Sequence, residues 1–337
     1  MREHPASFDV REEVGRLVAE HLGLASPIAP EATRLERVAS LWGGYGELLR
    51  ARFPVAGEAT TAIVKWIHPP RGPRREDARG HARKERSYDV EVAWYRRYAA
   101  RCGARCRVAT AWGALTRGSD RLLVLEDLDA AGFGERRSGS RARDLDACLG
   151  WLAALHATFL GVAPDGLWRT GTYWHLATRP DELAATRDVA VRDAAPVLDA
   201  RLEGARFRTL VHGDAKAENF CFGSGGAVAA VDFQYVGGGV GVRDVAYLLY
   251  GAADARDVGP RLDRYFAELA RHLAERGIDA GPIEAEWREL YPVACADFVR
   301  FLAGWSPGAY ARDRAGQALL REVAEDLARA AQRRTNT

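Results

Sequence analysis

The 337-residue sequence predicts an α+β protein in two lobes, the first rich in β-structure and the second helical. Three observations carry the prediction. Up to residue 126, short strand-like segments alternate with turns around one helical stretch. Beyond residue 143, apolar residues recur at helical spacing, over 144–160 and again from 243 onward. The length exceeds one ordinary domain, and a chain that is 47% hydrophobic and 28% charged fills a core without disulfide or metal staples. The lobes are expected at 1–125 and 130–337, joined by a hinge at 126–129.

The elements follow in order. A leading helix over 9–22 runs into a link marked by Pro27 and Pro30. Strands are expected at 35–42, 47–55 and 60–67. An arginine-rich stretch at 71–86 reads largely as a solvated linker. A helix over 83–100 places Val90, Ala93, Trp94 and Tyr98 on one face, and strands at 106–115 and 121–126 complete the first lobe. After the hinge, Gly132–Arg143 is expected to be mobile, and 144–160 is an apolar helix. Short apolar runs at 209–212 and 227–233 enclose a polar motif and a Gly-Ser-Gly-Gly turn. The helical remainder breaks near Gly277–Pro282 and Ser306–Gly308.

Composition excludes several classes. No apolar run approaches the ~18 residues of a membrane span, and the first residues lack the apolar stretch of a signal peptide. A soluble, cytoplasmic protein is the expectation. The net charge of +2 favours neither nucleic acid nor membrane, although residues 1–125 alone carry 22 basic and 15 acidic side chains, which suits an anionic ligand. Five cysteines without a CxxC pair read as reduced, packed thiols. Of 48 cationic side chains 45 are arginine, so Lys65, Lys84 and Lys216 stand out. A compact ammonium aimed at phosphate oxygens is a task that guanidinium does not replace; Lys84 is assigned to chance.

The strongest motif is Leu210-Val-His-Gly-Asp-Ala-Lys-Ala-Glu-Asn219, followed by Ala229-Ala-Val-Asp-Phe-Gln234. It supplies His212, Asp214, Lys216, Asn219 and Asp232 from two short strands and the loop between them. Two carboxylates, a carboxamide and an ammonium are the set that phosphoryl transfer asks for. One aspartate accepts or orients the attacking hydroxyl, an Asn and a second Asp offer hard oxygens to Mg2+, and the lysine offsets charge on the transferring group.

This pattern resembles the catalytic and metal-binding segments of the kinase-like small-molecule phosphotransferases, which include aminoglycoside phosphotransferases, choline kinases and ecdysteroid-kinase-like proteins. The steps from Asp214 to Asn219 and from Asn219 to Asp232 match the HRDxKxxN…DFG spacing of protein kinases. The resemblance covers about residues 35–250 and implies a bilobal protein-kinase-like fold with a nucleotide-binding first lobe, a catalytic loop over 210–234 and substrate-binding helices in the second lobe. It implies Asp214 as catalytic base, Lys216 as catalytic-loop lysine, and Asn219 and Asp232 as Mg2+ ligands. Lys65, in Ala62-Ile-Val-Lys65, corresponds to the lysine on the α- and β-phosphates of ATP, with Glu91 its helical partner and Glu85 the alternative. Gly43, Gly44 and Gly46 stand where a glycine-rich loop covers phosphates, though the full GxGxxG is missing. The segment through Glu126 and Leu128 corresponds to the adenine-binding connection. Asp244 stands at a helix start, where a carboxylate caps exposed amides; the resemblance implies that it also braces the catalytic loop, and that His212 and Asp244 are supporting groups.

A protein kinase is rejected. Only 12 residues separate Asp232 from Asp244, which leaves no room for a peptide-docking segment, and Gln234 replaces the DFG glycine. The expectation is an ATP-dependent phosphotransferase acting on a small-molecule alcohol, with a catalytically inactive nucleotide-binding or scaffold protein as the alternative. Trp168, Tyr173, Trp174, Trp287, Tyr291, Phe298, Phe301, Trp305 and Tyr310 enrich the second lobe in aromatics. They pack helices or line an acceptor pocket for a hydrophobic alcohol or an aromatic-caged cation. The acceptor, ATP against GTP, and the oligomeric state are left open.

Overall fold

Asp9 sets the first helix, its carboxylate accepting hydrogen bonds from the amides of Arg11 and Glu12, donors that a helix start leaves unpaired. Helix α1 (Val10–Leu22) ends at Gly23 in the left-handed region, as a terminating glycine does. It opens a computed structural model that describes residues 9–70, 78–137, 142–250 and 255–335. Then come β1 (Arg34–Ser40), β2 (Gly46–Val55), β3 (Glu58–Ile67), α2 (Ala78–Arg97), β4 (Arg107–Val108), β5 (Ala111–Arg117), β6 (Asp120–Glu126) and β7 (Glu135–Arg136).

Five of these strands form an antiparallel sheet in the order β1-β2-β3-β6-β5. The two-residue period places Leu49, Ala51 and Phe53 of β2, Ala62 and Val64 of β3, and Leu122 and Val124 of β6 in one core with Val10, Val14, Leu17 and Val18 of α1. Lys65 is one residue out of phase with Val64 and takes the opposite face.

The remaining elements are α3 (Ala142–Thr158), α4 (Pro180–Ala185), α5 (Val189–Glu203), β8 (Thr209–Val211), β9 (Phe220–Phe222), β10 (Val228–Ala230), β11 (Gly237–Gly239), α6 (Val242–Leu249), α7 (Ala255–Ala274), α8 (Gly281–Trp305), α9 (Pro307–Arg312) and α10 (Arg314–Thr335). Helix α3 is apolar on nearly every side and correspondingly buried, with Leu149, Leu152, Ala153, Leu155 and His156 fully covered.

Contacts divide the described residues into two units. The first takes Met1–Gly103, Arg107–Arg136 and Cys221–Gln234; the second takes Ala104–Cys106, Arg137–Phe220 and Tyr235–Thr337. The division departs from a linear boundary at 126–129 because a small sheet, β4-β10-β9-β7, ties 221–234 to 107–136.

Several expected elements differ. The strand expected at 106–115 is two pieces, since β4 pairs with β10 while β5 joins the large sheet. The strand expected to reach residue 42 stops at Ser40, where Trp42–Gly44 turns. Helix α2 begins at Ala78, so 78–86 of the supposed linker is helical, and 71–77 lies outside the described residues. Of Gly132–Arg143, Glu135 and Arg136 pair with Phe222 and Cys221, and 138–141 lies outside the described residues.

Candidate active site

The first unit gathers one group of charged side chains. The Lys65 ammonium donates to Oε2 of Glu91 at 2.6 Å and lies 3.8 Å from Oδ1 of Asp232. Both members of the Lys65–Glu91 pair are buried. Burial works against the Lys65 charge, but Glu91 and Asp232 outweigh it and hold its pKa above the usual lysine value. At Glu91 burial wins over Lys65 and moves the carboxyl upward. The short 2.6 Å contact suits an ammonium donating to a carboxylate. Glu85 lies 3.4 Å from His81 instead, so of the two glutamates Glu91 is the one paired with Lys65.

Asp232 sits at φ +66°, a left-handed conformation uncommon outside glycine and tolerated best by Asn and Asp. Its Oδ1 accepts from the Gln234 amide at 2.8 Å. Phe233, between them, stacks on Trp94 of α2 at 4.5 Å and 14°, which fixes this turn to the helix that carries Glu91.

Gly43, Gly44 and Gly46 all have positive φ, and the turn closes where the Leu41 amide donates to the Gly46 carbonyl. At Gly46 a Cβ would stand 2.1 Å from the Trp66 carbonyl oxygen, so only glycine fits beside β3. Glu126 accepts from Arg107 and from the Thr110 amide, which holds its carboxyl below the usual value against burial. Asp127 and Asp129 bind Arg50 of β2, and the buried Leu128 accepts from the Phe133 amide. The segment 126–129 is thus braced against the sheet.

The second unit holds the other group. Asn219 donates both to the Asp214 carbonyl at 2.7 Å and to Asp214 Oδ2 at 2.9 Å. An amide that spends its NH2 on Asp214 turns its oxygen away from it. The Lys216 ammonium, on a half-buried side chain, lies 3.5 Å from Asp214 Oδ2. The Asp214 amide donates to Nδ1 of His212, which is fully buried.

Asp244 was expected to cap its helix; it makes no such bond in α6. Its carboxylate, fully buried in the first turn of α6, accepts from the amides of His212 at 2.6 Å and Gly213 at 2.9 Å. His156 Nε2 approaches the same carboxylate at 3.1 Å, while Tyr265 lies 2.8 Å from Nδ1. Gly213, at φ +82°, would drive a Cβ to 2.1 Å from the Tyr235 carbonyl oxygen. The neighbouring Thr172 is held at φ +104°, a costly conformation for a β-branched residue.

Around the Asp214 loop, Tyr235 and Tyr247 carry no role in the sequence analysis, whereas Tyr173 is one of the aromatics noted there. The Tyr247 hydroxyl donates to that of Tyr173 at 3.5 Å, and burial, with the charge of Asp214 added, pushes its phenol far upward. Tyr173 is pushed up to about 12, chiefly by burial, with Asp214 adding to it. Their rings lie 5.6 Å apart, and Tyr235 lies 5.9 Å from Tyr173. Trp174, Phe298 and Phe301 form the core behind. Arg179 sits 5.8 Å over Tyr173 and 5.0 Å over Trp305. Of the aromatics noted in the sequence, Trp287 spends its indole N–H on the Phe207 carbonyl and packs helices.

Asp232 in the first unit offers a carboxylate and Asn219 in the second a carboxamide oxygen, each the kind of hard oxygen that Mg2+ takes. His175, Asp199 and Glu203 also lie together, but Arg243 is 3.7 Å from Asp199 and 3.6 Å from Glu203 and already supplies the cation there.

Residues 60–276 match the phosphotransferase enzyme family. A comparison with curated proteins finds no match. Among solved structures, the chain is similar to a choline kinase from Cryptosporidium parvum Iowa II at 8% identity, with a TM-score of 0.54 over 97% of each chain. A microcompartment-associated aminopropanol kinase is 14% identical, with a TM-score of 0.52 over 92% of this chain and 94% of that one. A Plasmodium vivax ethanolamine kinase is 10% identical, with a TM-score of 0.51 over 91% and 85%. At these identities the likeness is one of fold, and it agrees with the α+β, kinase-like architecture expected from the sequence.

Proposed function

The chain belongs to the phosphotransferase enzyme family, and from that premise we propose that it moves the γ-phosphoryl group of ATP to the hydroxyl of a small-molecule alcohol. The observation that carries this reading is Asp214: a nearly buried carboxylate on a pinned loop, held by Asn219 and flanked by the Lys216 ammonium.

Asp214 takes the proton of the acceptor hydroxyl as its oxygen bonds to the γ-phosphorus. The bond from phosphorus to the β–γ bridging oxygen breaks, and ADP leaves. Lys216 offsets charge on the phosphoryl oxygens. Lys65, held by Glu91, binds the α- and β-phosphates; Gly43, Gly44 and Gly46 cover them, and the backbone at Glu126 and Leu128 receives adenine. Asn219 and Asp232 would hold Mg2+, which when bound neutralises phosphate charge. His212 and Asp244 keep the Asp214 loop in place.

For the acceptor, the reading is an alcohol that carries an amine. Tyr173 and Tyr247 both feel the Asp214 charge, Tyr235 lies 5.9 Å from Tyr173, and an aromatic face attracts a cation. That this wall accommodates positive charge is seen at Arg179. The solved choline, ethanolamine and aminopropanol kinases share the fold.

The test is transfer of label from γ-labelled Mg·ATP to choline, ethanolamine and aminopropanol, with neutral alcohols of equal size alongside and Asp214→Asn as control. Label on an amino alcohol, lost in the variant, is expected. Label on neutral alcohols alone would overturn the acceptor class. Nucleotide binding without transfer to any alcohol would favour the inactive scaffold.

A further inference from the structure

Lys84, one of only three lysines, is not a surface remnant. It lies on α2, and its ammonium is 3.1 Å from Oε1 of Gln234. Gln234 in turn donates from Nε2 to Oδ1 of Asp232 at 2.8 Å. We propose that Lys84 is a positioning residue for nucleotide-bound metal, setting the orientation of the Asp232 carboxylate through Gln234. The proposal rests on the reading of Asp232 as a Mg2+ ligand.

The chemistry of the three groups forces the direction of the chain. An ammonium has donors only, so the Gln234 atom that faces Lys84 is the oxygen. The atom on the other side of the amide is then the NH2, and an ionised carboxylate is the partner it requires. Were the amide turned over, its oxygen would meet the Asp232 carboxylate and its NH2 would meet the ammonium. Both contacts would then be repulsive.

A second donor stands nearby but does not replace Lys84. The hydroxyl of Ser87, fully buried, is 3.1 Å from the same Gln234 oxygen and 2.7 Å from the Lys84 carbonyl. A serine hydroxyl has one proton, and the carbonyl is the closer acceptor. When that proton goes to the carbonyl, the Lys84 ammonium still donates to the Gln234 oxygen. The Lys84 ammonium is itself held 4.9 Å over the Tyr88 ring, whose centroid is 5.6 Å from the Lys65 ammonium. Tyr88 is fully buried, so the ring forms a fixed seat beside both lysines.

The consequence is specific. Groups that orient a metal ligand without touching the metal typically change metal affinity ~10–100-fold when removed. Lys84→Met keeps the length of the side chain and removes its donors. Gln234→Leu removes the middle of the chain. Lys84→Arg keeps a donor for the Gln234 oxygen.

The experiment is calorimetric binding of the non-hydrolysable β,γ-imido analogue of ATP by the full chain, across a Mg2+ titration and in chelator. The expected result is that Lys84→Met raises the Mg2+ concentration for half-maximal enhancement about tenfold and leaves the affinity in chelator unchanged. Gln234→Leu should do the same, the double variant should be no worse than either single one, and Lys84→Arg should recover most of the loss. Equal loss with and without Mg2+ would overturn the proposal, because it would mean a direct contact of Lys84 with phosphate. So would additive losses in the double variant, or no change at all. A wild-type chain that binds the analogue without any help from Mg2+ would remove the reading of Asp232 and this proposal with it.

Discussion

Asp214 is where the reading stands most directly on one side chain. Asp214→Asn retains size and a hydrogen-bonding group, so the loop pinned by Asp244 is expected to stay folded. What it removes is a proton acceptor, a loss of about 10²–10⁴ in turnover. Unchanged kcat in this variant, or a thermal midpoint lowered enough to explain the loss, would take the base role from Asp214. Much at this scale was legible in sequence, because catalytic types at fixed short spacing name themselves: His212, Asp214, Lys216 and Asn219 fall within eight residues. Lys84 was not legible. Its partner Gln234 lies 150 positions away, and no local pattern marks such a pair. The only trace was the rarity of lysine. Tyr247 was hidden differently, as one apolar position among the buried residues of α6.

At the scale of elements, the loop before β9 is held by α6 and α3 through a single carboxylate. Asp244 is fully buried and accepts from two backbone amides, with His156 of α3 on the same oxygen that takes the His212 amide. Asp244→Ala leaves both amides and the imidazole facing an empty, dry site, at a cost of about 3 kcal/mol. Chemical denaturation should show that loss, and kcat should fall with it although Asp244 touches no reacting group. A variant as stable and as active as wild type would mean that the loop is held elsewhere. The long elements, α1, α3, β2 and β3, were legible because each presents an apolar face at one clear period. Helix α5 was missed: Val189, Val191, Val197 and Pro196 all disfavour a helix, and the Asp188 cap and burial of Leu198 and Leu202 outweigh them. Strands β8 and β10 fall in the short apolar runs at 209–212 and 227–233, whereas β9 was not legible, its three residues being too few to display a period.

For the molecule as a whole, sequence order is a poor guide to which residues fold together. The chain passes into and out of the first unit, and Asp232 belongs to it by contacts although it follows Asp214 by only 18 residues. Pairing of β9 with β7 and of β10 with β4 produces this, and pairing between distant short segments is what local patterns leave out. Each unit also carries carboxylates held below their usual pKa, which sets the acid limit of stability. Asp127 in the first unit is opposed by burial but held down by hydrogen bonds and charge from Arg50. In the second unit, burial acts on Asp199 in the same sense, and the hydrogen bond with His175 and the charges of His175, Arg243 and Arg300 outweigh it. A lowered folded-state pKa means that, above the unfolded value near 3.8, both carboxylates are ionised in either state and the full stabilisation is present. As pH falls below that value the unfolded chain takes up protons first, and stability drains away until the folded pKa values are passed. Urea midpoints should therefore be flat from pH 7 to about 5 as far as these groups are concerned, and drop between about pH 4 and 3. Asp199→Asn should lower the midpoint at pH 7 and make the acid drop shallower, since an uncharged amide has no proton to gain. The same acid slope in the variant as in wild type would show that Asp199 is not among the groups that set it.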